Sequence, residues 1–490
     1  MTPALLSLLF SISSLTNRVA PPGTQLHIRL TSTVGSYASR AGSHLSAVLI
    51  APVTLDGETK LQTGTILSGS VKGVTRVGFG VRHETAGLDL EFNRLTSPDG
   101  ENISISARVA EVDNSRERVS VNGRIHGVRS TASLCYRVSG YIRTALQWEF
   151  HAGLAVWAIR SLLMQLPEPE IYYPAGVELT LTLTRPLFLG TLLNPEEEVA
   201  AQLTDDQRDE LEQVVSTLPY RTQAPGTGRL SDLTNVLFIG SHDQVAAAFE
   251  AAGWTQANPV SVRGRITWIR AVAERRGDET APMSPLLLNG AEPDMAWQKG
   301  LNDVSKRHHI RMWKGAATWD GQEVWVGAAT RDVDFAYLRP GGRLTHRIDE
   351  DVDQERDKIA FDMAFTSCGN ILDWTDREDF PRSVRNATGD PITTDGRMVV
   401  IQMNECRAPR RSTETVDSAV LPEHGDRLQR FARREILSAR NELLRTNPIW
   451  RTYEGSRWVV DYFRRRRQQA ADQLLLSSSH PSVLPQFAVK

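Results

Sequence analysis

Cysteine is scarce: Cys135, Cys368 and Cys406 are the only three in 490 residues. Odd in number and far apart, they offer neither a disulfide framework nor the clustered spacing of a zinc site. Charge of one sign is lacking too. With 56 basic against 58 acidic residues, the net charge is −2, which argues against sequence-specific nucleic acid and against an acidic surface as partner. No stretch approaches the roughly 20 apolar residues of a membrane-spanning helix; Leu154 to Leu166 comes nearest, and Arg160 interrupts it. A serine nucleophile elbow, a P-loop and an HExxH helix are all missing, and no cofactor is expected. Leu5 to Phe10 is a short apolar run ahead of Ser11-Ile12-Ser13-Ser14, with no Lys or Arg before it. It reads either as the remnant of a signal peptide, implying a periplasmic or envelope-associated chain, or as a frayed start to a cytoplasmic one.

What is present divides into several domains, as the length suggests. After residues 1–20, residues 21–190 are β-rich. Gln25 to Thr31 alternates polar and apolar, and Glu178 to Thr184 nearly restates it, with Leu, an aliphatic residue, Leu and Thr at matching offsets from Gly23 and Gly176. Between them lie the short runs Leu45–Val53, Thr65–Val71, Leu88–Leu95 and Ile103–Val109, split by turn pairs such as Asp56-Gly57 and Asp99-Gly100. Many short strands at even spacing predict an all-β barrel or sandwich, with the restated strand beside the first to help close the sheet.

A helical insertion occupies residues 142–170: Thr144 to Leu166 reads as a helix stopped by Pro167 and Pro169. It is expected to plug or cap the β domain, the rival reading being a helix laid on a membrane or partner. Residues 195–230 hold an acidic helix and a linker around Gln223 to Gly228. Residues 231–406 mix helix and strand signals, predicting an α/β or α+β domain. Val236–Ile239 and Met398–Met403 read as strands, His242–Ala252 and Ile266–Ala273 as helices. From residue 407 a charged helical tail runs to 490, with helices expected over Arg427–Leu444 and Gly455–Leu476 and disorder after Ser477. The basic block Arg464 to Arg467 could touch acidic lipid, although a solvated face explains it as well.

Chemically able side chains are densest from Lys306 to Asp357. Two alternating runs, His308–Trp313 and Glu323–Ala329, flank the hairpin pair Asp320-Gly321. A three-residue loop would set Ile310 and Met312 beside Val324, Val326 and Ala328. It would gather His309, Arg311, Trp313, Trp325 and Arg331 on the opposite face. Beyond a turn at Pro340-Gly341-Gly342, His346 and Arg347 precede a helix that Asp349 or Asp351 would cap. Val352, Arg356, Ile359 and Met363 form one stripe of that helix; Asp349, Asp353 and Asp357 form another.

HHIRMW, WVGAATRD and THRIDEDVDQERD, in that order, resemble the LssY-type C-terminal domain, a family named for a component encoded with a bacterial type I secretion system. The likeness runs from about Asp232 to about Glu405. The family implies no biochemical activity for these residues. The N-terminal order PPGTQLHIRL, LQTGTILSGSV, LDLEFNRLTSPDG is similar to the β-barrel domain of TrbI-type conjugation proteins, which implies an envelope protein without catalytic residues.

Two functions are compatible with this reading. One is a non-catalytic envelope or secretion-associated binding or scaffolding protein. Its polar site (His309, Arg311, Trp313, Trp325, Arg331, His346, Arg347, Asp349 and Asp353) would recognise an anionic group of a ligand or envelope partner. The other is a hydrolase of a phosphate- or acyl-bearing substrate using His309, His346 and Asp349, or a metal held by His309, His346 and one of Asp349 or Asp353. A third possibility is a purely structural polar network.

Overall fold

The computed structural model describes residues 19–189, 203–406 and 427–446 apart from short loop breaks, with scattered positions from 448 to 467. The Leu5–Phe10 run, the Pro340-Gly341-Gly342 turn, most of the expected helix from Gly455 and the tail after Ser477 lie outside the described residues.

The N-terminal half is a nine-stranded antiparallel sheet curled into a nearly closed barrel. Its long strands are β1 (Gln25–Leu30), β2 (His44–Leu49), β3 (Ile66–Thr75), β4 (Gly87–Thr96), β5 (Ala107–Val112) and β6 (Glu178–Leu183). The restated strand lies where its sequence predicts. β6 pairs with β1, Leu179 opposite Ile28 and Leu181 opposite Leu26, and carries β5 on its other edge. Alternation then drives one face inward: Leu26, Ile28, Leu30, Leu179, Leu181 and Leu183 join a single buried core.

Between β5 and β6 the insertion forms two helices rather than one, α1 (Leu134–Ala145) and α2 (Phe150–Leu163). Among the described residues none of theirs enters the barrel core, so no plug is formed by them. They sit instead against a late helix and leave Tyr141, Ile159 and Leu162 exposed.

The second half is a three-layer α/β unit around an eight-stranded mixed sheet. It contains α3 (Asp205–Thr217), β7 (Val236–Ile239), α4 (His242–Ala251), α5 (Val262–Glu274), β8 (Met295–Gly300), β9 (Arg307–Trp319), β10 (Gln322–Leu338), β11 (Arg343–Ile348), α6 (Val352–Phe365), β12 (Gly369–Asp376) and β13 (Arg397–Met403). The central order is β8-β9-β10-β7-β13-β12, with β11 also on β10. Strand alternation divides the core in two. Val236, Phe238, Val399 and Ile401 face α4 and α6; Leu237, Ile239, Met398 and Val400 face Leu211, Val214 and Val215 of α3. The acidic helix expected to belong to a spacer is therefore a layer of this domain. The stretch read as linker, Gln223 to Gly228, joins two paired strands, Arg221–Gln223 and Leu230–Leu233.

Cys368 and Cys406 form a disulfide with Cα atoms 4.4 Å apart, contrary to the sequence reading. Cys368 immediately precedes β12 and Cys406 follows β13. Those strands pair antiparallel with Gly369 opposite Met403, so a separation of 38 residues is closed by sheet pairing that spacing alone does not reveal. The final helix, α7 (Arg427–Thr446), returns to the first half. Leu437 enters the barrel core, and Glu435 accepts from both Arg160 and Trp157 of α2.

Candidate functional site

The hairpin β9–β10 turns through two residues, Asp320 and Gly321, both at positive φ, with Trp319 paired to Gln322. This is the left-handed two-residue turn that suits sheet twist. A three-residue loop would reverse the facing parity, and that expectation is corrected here. A bulge between Lys314 and Thr318 shifts the later pairs by two residues, which alters spacing but not face. His308 thus lies opposite Arg331, His309 opposite Thr330, Arg311 opposite Ala328, and Trp313 opposite Val326. The expected cluster is split through the sheet. His309, Arg311 and Trp313 share one face; Trp325 and Arg331 belong to the other, with His308, Ile310 and Met312.

On the first face the polar groups converge on Asp332. Arg307 Nε donates to it at 2.9 Å, His346 Nδ1 lies 3.3 Å away and His309 Nδ1 3.8 Å away. Burial opposes a charged Asp332, but His309, His346 and Arg307 outweigh it and hold the carboxyl at about 2. Burial pushes His309 down to about 3, so its ring is neutral, and Nε2 pairs with the Thr330 hydroxyl at 2.9 Å. Thr330, His309 and Asp332 form a hydroxyl–imidazole–carboxylate series, yet all three are buried. His346 packs against Phe335 and Trp268. Arg311 faces Asp232 at 3.5 Å and donates twice to the Ser284 carbonyl. Trp313 Nε1 donates to the Ala291 carbonyl and Trp325 Nε1 to that of Gly240.

The remaining expected residues serve the start of α6. Asp351 is its cap, accepting from the Asp353 amide; Asp349 accepts from the Asp351 amide; Asp353 takes Thr394 and the Asp395 amide. Arg347 is exposed at the limit of ion-pair range from Asp390. Among the described residues no three His, Cys, Asp or Glu side chains gather as metal ligands, so the set of His309, His346 and Asp349 or Asp353 is not assembled.

The second face meets the barrel and, apart from Arg331, does so through residues that sequence reasoning passed over. His308 Nδ1 contacts Glu355 of α6 at 2.5 Å and Nε2 contacts Asp113, just past β5, at 2.7 Å. Burial works against a charged ring, but Asp113 and Glu355 raise it to about 9. The ring is therefore an imidazolium donating to both domains. Arg331 donates to Glu111 at 2.6 Å and Asp113 at 2.9 Å. Beside them Glu178 of β6 accepts from Arg29 of β1 (2.8 Å), Lys299 of β8 (2.6 Å) and Lys358 of α6 (2.6 Å). Asp362 reaches the same three cations and the Trp254 indole. Glu355, Lys358 and Asp362 follow the three- and four-residue spacing of one helix face, the one signal that could have found them.

Where the domains meet, a cleft of about 570 Å³ remains open, walled by Thr24, His27, Pro52 and Thr180 on the barrel side and by His308, Arg331, Asp349, Asp351 and Glu355 on the other. The fold of this second wall is recognisable. Residues 213–398 match the LssY C-terminus family. The matched segment begins within α3. ComB10 of the Com type IV secretion system of Helicobacter pylori aligns with 34% of this chain and 89% of its own, at 9% identity and a TM-score of 0.20. No curated protein matches the chain.

Proposed function

We propose that this chain is a non-catalytic binding or scaffolding protein of the bacterial cell envelope, in which the barrel and the LssY-type domain are clasped together and the cleft between them is the recognition site. One observation carries the reading: the polar side chains of β9, β10 and α6 are engaged with each other and with the barrel, while the cleft beside them stays open. The anion-binding variant needs Arg311 and Arg331 available, and both already face carboxylates. The hydrolase variant needs His309 within reach of substrate, and it is buried and does not line the cleft. An oxidising compartment is supported by the Cys368–Cys406 disulfide, and secretion-linked surroundings by the family match. No described helix is long and apolar enough to cross a membrane.

Assays of the purified full chain on phosphomonoester, phosphodiester and acyl-ester substrates test this. No turnover is expected. Turnover that His346→Gln abolishes in a folded protein would replace the binding reading with the hydrolase.

A further inference from the structure

Glu355 occupies an unusual position in the cleft. It is buried, at 2% exposure, and lines the cavity. Its Oε2 holds the His308 imidazolium, but Oε1 has no hydrogen-bond partner. A buried carboxylate oxygen normally takes at least one donor, because leaving it bare costs its full desolvation. The cleft's own cations are turned elsewhere: Arg331 donates through Nη2 to Glu111 and Asp113 and leaves its Nε without a partner, and Lys358 donates to Glu178 and Asp362. Asp349 and Asp351 add carboxylates to the same wall, and the hydrogen bonds they accept come from neutral donors. A concave site with this excess attracts positive charge and repels anions.

Building on the binding reading above, we propose that the cleft takes a primary ammonium group, seated on the free oxygen of Glu355 and drawn in by Asp349 and Asp351. Burial pushes the Glu355 carboxyl up, so an arriving cation stabilises its charged form. The apolar barrel wall of Ile50, Pro52, Val53 and Leu179 suits the methylene chain that carries such a group.

The ammonium can belong to a free polyamine or to a peptide lysine, and calorimetric titration of the full chain with spermidine and with Gly-Lys-Gly separates these sources. At least one is expected to bind saturably, with affinity falling as salt rises. Glu355→Gln removes the charge at the seat and should weaken binding by about tenfold or more. Because that change could disturb His308, the double variant Asp349→Asn, Asp351→Asn provides a second test. Asn caps a helix as well as Asp, so the fold is kept while affinity drops by about tenfold. Equal affinity in the parent and both folded variants, or no saturable binding of either cation, overturns the proposal. Saturable binding of inorganic phosphate or a neutral disaccharide instead overturns only the ammonium assignment and leaves the binding reading standing; turnover of the model substrates overturns that reading itself.

Discussion

Arg311 and Arg331 carry the same guanidinium into different surroundings, and removing each separates a structural role from ligand recognition. Arg311 and its partner Asp232 are both nearly inaccessible. Burial already depresses the arginine and raises the aspartate. Arg311→Ala would leave Asp232 buried without its cation, at a cost of about 3 kcal/mol. Arg331 is partly exposed and Glu111 more so, and Asp113 keeps His308 when Arg331 is removed, so Arg331→Ala costs about 1 kcal/mol. Urea denaturation of both variants measures the difference. A fully stable Arg311→Ala protein that has lost an anion bound by the parent would restore the anion-recognition account. Residue identity was legible at this scale, for His309, Arg311, His346 and Asp349 all lie at or near packed polar contacts. Other pairings were not, because Asp232 meets Arg311 and Glu355 meets His308 by tertiary contacts that sequence distance conceals.

Elements were more legible than registers. The restated strand, the hydrophobic stripe of α6 and the strand–helix step at Gly240 follow from local periodicity and capping. Ser241 caps α4 with a reciprocal bond to Gln244. The face of each hairpin residue depended instead on a single turn length. One residue fewer in that turn moves Trp325 and Arg331 from the expected cluster to the barrel-facing side. The helical insertion is present, but its placement was not legible for a related reason, since apolar composition reports a helix and not whether its apolar face is covered. Gly321→Ala probes the turn directly. At φ 71° an added Cβ meets no neighbour, so the cost is backbone strain alone, about 1 kcal/mol. A lowered denaturation midpoint with unchanged slope is expected; an unchanged midpoint would mean that the left-handed turn is not required.

Across the whole molecule, the two domains are joined by groups that each supplies in part. Asp113, Glu178 and Arg29 come from the barrel, and His308, Glu355, Lys299, Lys358 and Asp362 from the α/β domain. α7 adds a return strap, its Arg433 donating to Glu170 at 2.7 Å. Chain cleavage between the halves should therefore leave the fragments associated. None of this long-range pairing is visible to periodicity, which is why the sequence reads as two domains with a linker.

The clasp has a pH signature. His308 is raised from 6.5 to about 9, so its contribution is complete below 6.5 and is lost as pH climbs through 9; the shift corresponds to roughly 3 kcal/mol. The most direct test is the side-chain nitrogen NMR spectrum of His308 in the full chain. With the domains clasped as described, both ring nitrogens are protonated at about pH 7.5 and titrate near 9. A neutral ring at that pH, titrating at or below 6.5, would contradict the clasp and with it the account of how the two domains form one cleft.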